Sequence, residues 1–391
     1  MGIHNQQVTF TKDDVVLGKT LGSGGFAVVR EGRVVTDKYD EIDFTLPMQK
    51  PTKYDVHLMK HSEKMDSSFL YSAVDRQIDE EEVGFAVKTI RSFDTNAVKE
   101  FKNEVEMLRQ ISYHKNIVRM YGVSEDFFEK PKSGFVVYER LTESMDKAMM
   151  RWKKEDRSPV SFARILGSKN KGKLQALRVK KGVVDIAGAL RFLHKHGIIY
   201  RDLKPANVGF DDDGVARLFD FGLARKVDPD HKMTSRVGSL RYQAPEVCAG
   251  ESYGFAADIY SFGMLLWEVC ALEMPYRSTR SIVALEKMVL NPSITPPLRN
   301  IVSVEWRKLM QDCWDAPEKR PSVKHIEREL KAEILRNIDD PANNWWEDFS
   351  WCCVGEWQAT YKYKPSAEDR RHCDPANIFV YGVYRFKYMI S

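Results

Sequence analysis

Ile199-Tyr200-Arg201-Asp202-Leu203-Lys204-Pro205-Ala206-Asn207 is the stretch on which the reading of this chain turns. It packs a carboxylate, two cations and a carboxamide into a short segment after a helical pattern ends. Asp220-Phe221-Gly222 follows thirteen residues past Asn207, preceded by Leu218 and Phe219. Asp and Asn oxygens suit Mg²⁺, which takes few protein ligands and shares its shell with phosphates and water. Either stretch alone reads as a polar loop. Together, in this order and spacing, they point to a site that handles metal and phosphate.

Working outward, Val183, Ile186, Ala187, Leu190 and Leu193 recur at helical spacing, and that helix stops near Gly197. Upstream, Val83-Gly84-Phe85-Ala86-Val87-Lys88-Thr89-Ile90 reads as a strand with a lysine in its middle. An inward lysine is costly unless it is paired. Residues 95–111 read as a helix with Phe101, Val105, Leu108 and Ile111 on one face, and Glu104 sits beside that stripe. Glu104 is therefore either the partner of Lys88 or a solvated edge residue. Further upstream, Gly22-Ser23-Gly24-Gly25-Phe26-Ala27-Val28-Val29 joins two strand-like runs. Glycines let a backbone turn tightly and bring N–H groups to phosphate oxygens, though an ordinary glycine-rich hairpin has the same pattern.

Strand-like runs near 117–123 and 134–140 complete a β-rich first part with one helix. From about 143 the pattern is mostly helical, with 150–173 reading as a basic loop. Residues 256–271 are nearly all apolar and read as a buried helix, followed by helices over 279–290, 303–313 and 322–336. Lys169, Lys171, Lys173, Arg178, Lys180 and Lys181 read as a solvated loop and helix start rather than a docking site for an acidic substrate.

Composition sets the outer bounds. The chain has 391 residues, 43% hydrophobic and 30% charged, which is ordinary for a soluble globular protein. A net charge of +4 is too mild to imply nucleic acid. No apolar run approaches the ~20 residues of a membrane span. The start lacks the apolar core of a signal peptide, and Gln6 stands where a myristoylation motif wants Ser or Thr. Six Cys in this length fit reduced thiols, so a soluble cytoplasmic protein is expected.

Taken together, the motifs resemble those of the eukaryotic protein kinases, over roughly residues 13–336 and in that family's order. The match comprises the glycine-rich loop, Phe85-Ala86-Val87-Lys88, Glu104, Tyr200-Arg201-Asp202 with Asn207, Asp220-Phe221-Gly222 and Ala244-Pro245-Glu246. Asp258 in Asp258-Ile259-Tyr260-Ser261-Phe262-Gly263 and Arg320 in Lys319-Arg320-Pro321 add later landmarks. The resemblance implies an α+β bilobal fold. It has a small β-rich lobe over about 13–138 with an insertion near 36–82, and a larger helical lobe over about 142–336. Residues 1–12 form a leader and 337–391 a tail of unassigned role, with four of the eight Trp and three of the six Cys.

The same resemblance implies ATP and Mg²⁺ as cofactors. Lys88 would hold the α- and β-phosphates, fixed by Glu104. Asp202 would be the base that accepts the substrate hydroxyl proton, Lys204 would offset charge on the transferred phosphoryl, and Asn207 and Asp220 would hold the metal. Gly22, Ser23, Gly24, Gly25, Phe26 and Ala27 would cover the phosphates. Val29 and Ala86 would roof the adenine, Tyr138 would stand at the gatekeeper position, and Glu139-Arg140-Leu141 would form the hinge. Glu246 and Arg320 resemble a structural ion pair of the larger lobe.

Lys204 and Gly238-Ser239-Leu240-Arg241-Tyr242 resemble the serine/threonine form, while Cys313-Trp314 with Arg320-Pro321-Ser322 is typical of tyrosine kinases and the tyrosine-kinase-like branch. The combination implies a tyrosine-kinase-like serine/threonine kinase acting on a protein substrate, with dual specificity left open. Arg201 implies regulation by an upstream kinase at Thr234 or Ser235. Three positions depart from the family. Ala27 replaces a glycine, Tyr200 replaces the usual His, and Gly209 stands where a large apolar residue normally lies beneath adenine. Whether neighbouring Val208 or Phe210 compensates for that thin floor is left open by the sequence. The alternative function is a pseudokinase or scaffold without turnover. In the tail, Cys352, Cys353, His372 and Cys373 match no common zinc spacing.

Overall fold

In the computed structural model, residues 7–24, 26–39, 41–42, 84–91, 94–157, 171–228 and 233–338 are described. Gly25, Lys169, most of the 36–82 insertion and nearly all of the 337–391 tail, including its Cys and His residues, lie outside them. The described residues belong to one unit of the fold, drawn from Met1–Pro47 and Gly84–Asp340.

Six strands build the N-terminal sheet: β1 (Val8–Phe10), β2 (Val15–Ser23), β3 (Ala27–Val34), β4 (Phe85–Ile90), β5 (Met120–Ser124) and β6 (Phe135–Glu139). Their order is β1-β5-β6-β4-β3-β2. All pairs are antiparallel except β1 with β5, which run parallel from Val8 opposite Gly122 to Phe10 opposite Ser124. The sheet therefore reaches N-terminal of residue 13, the boundary expected from sequence. Val8 and Phe10 turn inward while Thr9 stays exposed, the alternation of a half-buried strand.

Helix α1 (Thr95–Ile111) has the bounds that the apolar stripe predicts. Asp94 caps it by accepting from the Asn96 N–H, and Ala97, Phe101, Val105 and Leu108 are buried. Glu104 is buried as well, 3% exposed, so the solvated-edge reading is set aside.

Helix α2 (Met145–Arg157) replaces the first half of the expected basic loop. Met145, Ala148, Met149 and Trp152 are all buried and recur at i, i+3, i+4 and i+7. The many lysines and arginines on the opposite face hid this stripe in a charge-based reading. Beyond it come α3 (Lys171–Arg178), a π-helical turn (Val179–Val183), α4 (Val184–Lys195) and β8 (Ile198–Ile199). Lys173 is buried, and Arg178 forms a two-pronged pair with Asp156 at 2.6 and 2.7 Å, so this cluster is not simply a solvated face. Gly182 in the π turn leaves room for Met145, whose Cε would lie 2.5 Å from an added Cβ.

Short strands β7 (Glu143–Ser144), β9 (Val208–Phe210) and β10 (Ala216–Leu218) form a small sheet in the order β10-β9-β7, and β11 (Arg225–Lys226) pairs with β8. The helical part continues with α5 (Pro245–Ala249), α6 (Ala256–Ala271), α7 (Ile282–Val289), α8 (Val304–Trp314) and α9 (Val323–Ile338). Helix α6 is buried along nearly its whole length, as its continuous apolarity predicts. One hydrophobic core runs from Ala86 and Phe101 in the β-rich part to Leu330 and Ile334 in α9, which carries the functional loops on a shared support.

Candidate active site

Lys88 projects from the middle of β4 toward α1. Its Nζ lies 2.6 Å from Glu104 Oε2 and 3.1 Å from Asp220 Oδ1. Tyr138 at the end of β6 donates to the other Glu104 oxygen at 3.0 Å. Burial pushes the Lys88 ammonium down, but Asp220 and Glu104 outweigh it and hold the group above the ordinary lysine range. Lys88 draws the Asp220 carboxyl below its ordinary value, against the effect of burial. Lys88 is thus a fixed cation and Asp220 a fixed anion at neutral pH.

A second cluster surrounds Asp202. Lys204 Nζ bridges Asp202 Oδ2 at 2.6 Å and Ser239 Oγ at 2.8 Å. The Ser239 N–H donates to Asp202 Oδ1 at 2.9 Å. Asn207 Nδ2 donates to the Asp202 carboxylate and carbonyl, each at 2.9 Å. The carboxamide nitrogen is therefore engaged, which leaves oxygen as the atom through which Asn207 could bind a metal. Asp220 brings a second hard oxygen donor, and its side chain is 47% exposed. This donor set fits Mg²⁺.

Asp258 on α6 holds the Tyr200–Asn207 segment from beneath. Its carboxylate accepts from the Tyr200 and Arg201 N–H groups, each at 2.9 Å, and lies 2.9 Å from His194 Nε2. That grip sustains a left-handed backbone at Arg201, φ 73°, a costly conformation for a non-glycine residue. Tyr200, in place of the usual His, donates its hydroxyl to the Phe219 carbonyl and packs edge-on against Phe221 with ring centroids 5.1 Å apart. The expected structural pair is present: Arg320 Nη2 lies 2.9 Å from Glu246 Oε2, and both side chains are buried.

The glycine-rich segment lies where β2 turns into β3, with the Gly24 N–H donating to the Ala27 carbonyl at 2.9 Å and Phe26 exposed. Ala86 is buried and Val29 packs against the core. In the segment expected to form the hinge, the Glu139 side chain accepts from the Arg119 N–H at 2.6 Å and meets Arg217 Nε at 3.2 Å, while Arg140 pairs with Glu31 at 2.6 Å.

The structure answers the question left open at Gly209. Val208 and Phe210 are both buried in the core, on the face of β9 opposite to residue 209, so neither replaces the missing side chain. Leu141 does. A Cβ at Gly209 would lie 2.5 Å from Leu141 Cδ1 and 3.2 Å from Leu141 Cβ. The bulk absent from β9 is supplied by Leu141, just after β6. Sequence reading also passed over Asn103, whose carboxamide reaches the turn after Asp220.

Residues 70–330 match the family model described as "Protein kinase domain". The chain is 32% identical over 257 residues to a protein of Dictyostelium discoideum named "Probable LIM domain-containing serine/threonine-protein kinase", covering 64% of this chain and 35% of that one. It is 29% identical over 258 residues to a serine/threonine-protein kinase of Arabidopsis thaliana, covering 65% of this chain and 41% of that one. It is 26% identical over 276 residues to a dual specificity protein kinase of Dictyostelium discoideum, covering 68% and 39%. The chain thus spans well under half the length of these relatives.

Proposed function

The chain belongs to the protein kinase family, and from that premise we propose that it is a protein serine/threonine kinase that transfers the γ-phosphate of ATP to a protein hydroxyl. One observation carries this reading over a pseudokinase or scaffold: Lys88 sits between Glu104 and Asp220, at 2.6 and 3.1 Å, so the cation and the anion that phosphate transfer needs are both charged and in place. Asp220 and Asn207 would hold Mg²⁺, and the ion when bound would supply charge neutralisation at the phosphates.

The remaining work falls to the chain's own residues. Lys88 binds the α- and β-phosphate oxygens, and the glycine-rich backbone covers them. Val29, Ala86 and Leu141 enclose the base, with hinge backbone at Glu139 and Leu141 orienting it. Asp202 accepts the hydroxyl proton. Its carboxylate is aimed by Ser239 and Asn207, and Lys204 beside it offsets charge on the transferred group. The Lys204–Ser239 contact supports a serine/threonine preference, and the sequence pattern supports the tyrosine-kinase-like branch. Among the described residues Cys248, Cys270 and Cys313 are buried free thiols, which supports a reducing, cytoplasmic setting. No helix of the described residues is long and apolar enough to cross a membrane.

Regulation follows from the same loops. Thr234 and Ser235 are exposed, and Arg201 reaches the Tyr253 hydroxyl at 3.2 Å, which in turn donates to the Ser235 carbonyl at 2.9 Å. Burial and the neighbouring Arg201 hold Arg225 below its ordinary range, against the pull of Glu100 and Glu106, and a phosphate on the loop would add to that pull. Phosphorylation by an upstream kinase at one of these hydroxyls raises activity.

The test is transfer of radiolabelled phosphate from ATP to a generic basic protein and to a serine/threonine/tyrosine peptide library. Phosphoserine and phosphothreonine are expected, and a product of phosphotyrosine alone overturns the substrate class. In the same assay the Thr234→Ala/Ser235→Ala chain loses activation, whereas turnover equal to the parent removes the regulatory reading.

A further inference from the structure

The four carbonyls that follow Asp220 all accept from side chains. Asn103 Nδ2 lies 3.3 Å from the Phe221 oxygen, 2.8 Å from the Gly222 oxygen and 2.9 Å from the Ala224 oxygen. Arg201 Nε donates to the Leu223 oxygen at 2.6 Å. A carboxamide nitrogen carries two hydrogens, so Gly222 and Ala224 receive the strong bonds and Phe221 a shared one. The Ala224 N–H closes the turn on the Phe221 carbonyl at 3.0 Å. The turn is therefore gripped on one side by α1 and on the other by the catalytic loop.

Asn103 and Glu104 are neighbours on α1, and they reach Asp220 by different routes. Glu104 acts through the Lys88 side chain. Asn103 acts on the backbone. Asp220 has φ 63°, a left-handed backbone uncommon outside glycine and costly to hold for most side chains, though aspartate adopts it more readily. A contact to the Asp220 carboxylate leaves the torsion beside it free to relax, whereas fixing the next four carbonyls does not. The approach is close: a Cβ at Gly222 would lie 3.3 Å from Glu100 Cβ, one helical turn before Glu104.

We propose that Asn103 is a positioning residue that clamps the Phe221–Ala224 turn to α1 and so keeps the Asp220 carboxylate facing Lys88. Any shift of α1 away from the site breaks the Lys88 pair and this clamp together, which couples the helix to Asp220. The effect on turnover rests on the kinase reading above; the clamp itself does not.

The experiment compares the full chain with Asn103→Ala and Asn103→Asp by amide hydrogen exchange over residues 221–225, thermal midpoint, and kcat and KM for ATP. Asn103→Ala is expected to speed exchange at Ala224 and to lower kcat, each by about tenfold, the worth of one or two neutral hydrogen bonds. The midpoint should move by no more than about 3 °C. Asn103→Asp, nearly the same shape but with carboxylate oxygens facing carbonyl oxygens, should be worse than Asn103→Ala in both readouts. Unchanged exchange in both variants overturns the clamp, as does an Asn103→Asp chain that matches the parent. So does a fall in kcat with exchange unaltered. If wild type shows no turnover the kinase reading fails, and exchange alone still decides the clamp. If the variants do not fold, wild-type exchange decides: an Ala224 amide as fast as that of exposed Asp212 overturns it.

Discussion

At the residue scale one departure from the family, Gly209, is met by a neighbour distant in sequence. The bare β9 position at Gly209 is filled by Leu141, 68 positions earlier in the numbering. Gly209→Leu alone should lower unfolding free energy by about 1–3 kcal/mol, because its Cβ meets an occupied site. Leu141→Ala alone should weaken ATP binding. The double variant should recover most of both losses, measured by denaturant unfolding and nucleotide titration; strictly additive losses argue against the exchange of bulk. Glu139 permits a second prediction. Burial, against the pull of Arg217, pushes its carboxyl up from 4.5 to about 7. Over that window the folded chain keeps a proton that the unfolded chain has lost, so this group's contribution to stability falls as pH rises. Glu139→Gln should flatten the stability profile between about pH 4.5 and 7, and an unaltered slope counts against the buried carboxyl as its source.

At the scale of elements, the first strand does more than extend the sheet. A Cβ at Gly122 would lie 1.9 Å from the Val8 carbonyl oxygen and 2.7 Å from the Phe10 ring. Only glycine admits β1 at this distance from β5. Gly122→Val should therefore destabilise the chain by roughly 2 kcal/mol or more, and the penalty should shrink when residues 1–10 are removed. Thermal unfolding of the four chains checks this; an equal penalty with and without β1 removes the explanation. Such features set the limits of sequence reading here. Helix α1 was legible because Phe101, Val105, Leu108 and Ile111 repeat with its period. Lys88 and Glu104 were legible as a pair because both are charges on apolar elements. β1 was not, because three residues are too few to show a period. Asn103 was not, because its partners are carbonyls, which every residue has. Leu141 was legible as a hinge residue but not as the filler at Gly209, because the two segments meet only in the folded chain.

At the scale of the whole molecule, the site joins the β-rich part to the helical part through side chains rather than through one loop. Lys88 and Glu104 come from the sheet and α1, whereas Asp202, Lys204, Asn207 and Asp220 come from loops resting on α6 and the small sheet. A continuous core beneath them holds both sets in register. Catalysis of phosphate transfer is mostly positioning and charge stabilisation, so the arrangement should lose most of its activity when one charged member is neutralised. The most direct measurement is initial-rate transfer of radiolabelled phosphate from ATP, in Mg²⁺, by the full chain and by Asp202→Asn side by side. The parent should turn over, and Asp202→Asn should be slower by at least about a hundredfold, the lower end for losing a general base. Equal rates in the two chains, or no transfer by the parent after phosphorylation of Thr234 and Ser235, would contradict the assignment of this site as a protein kinase centre.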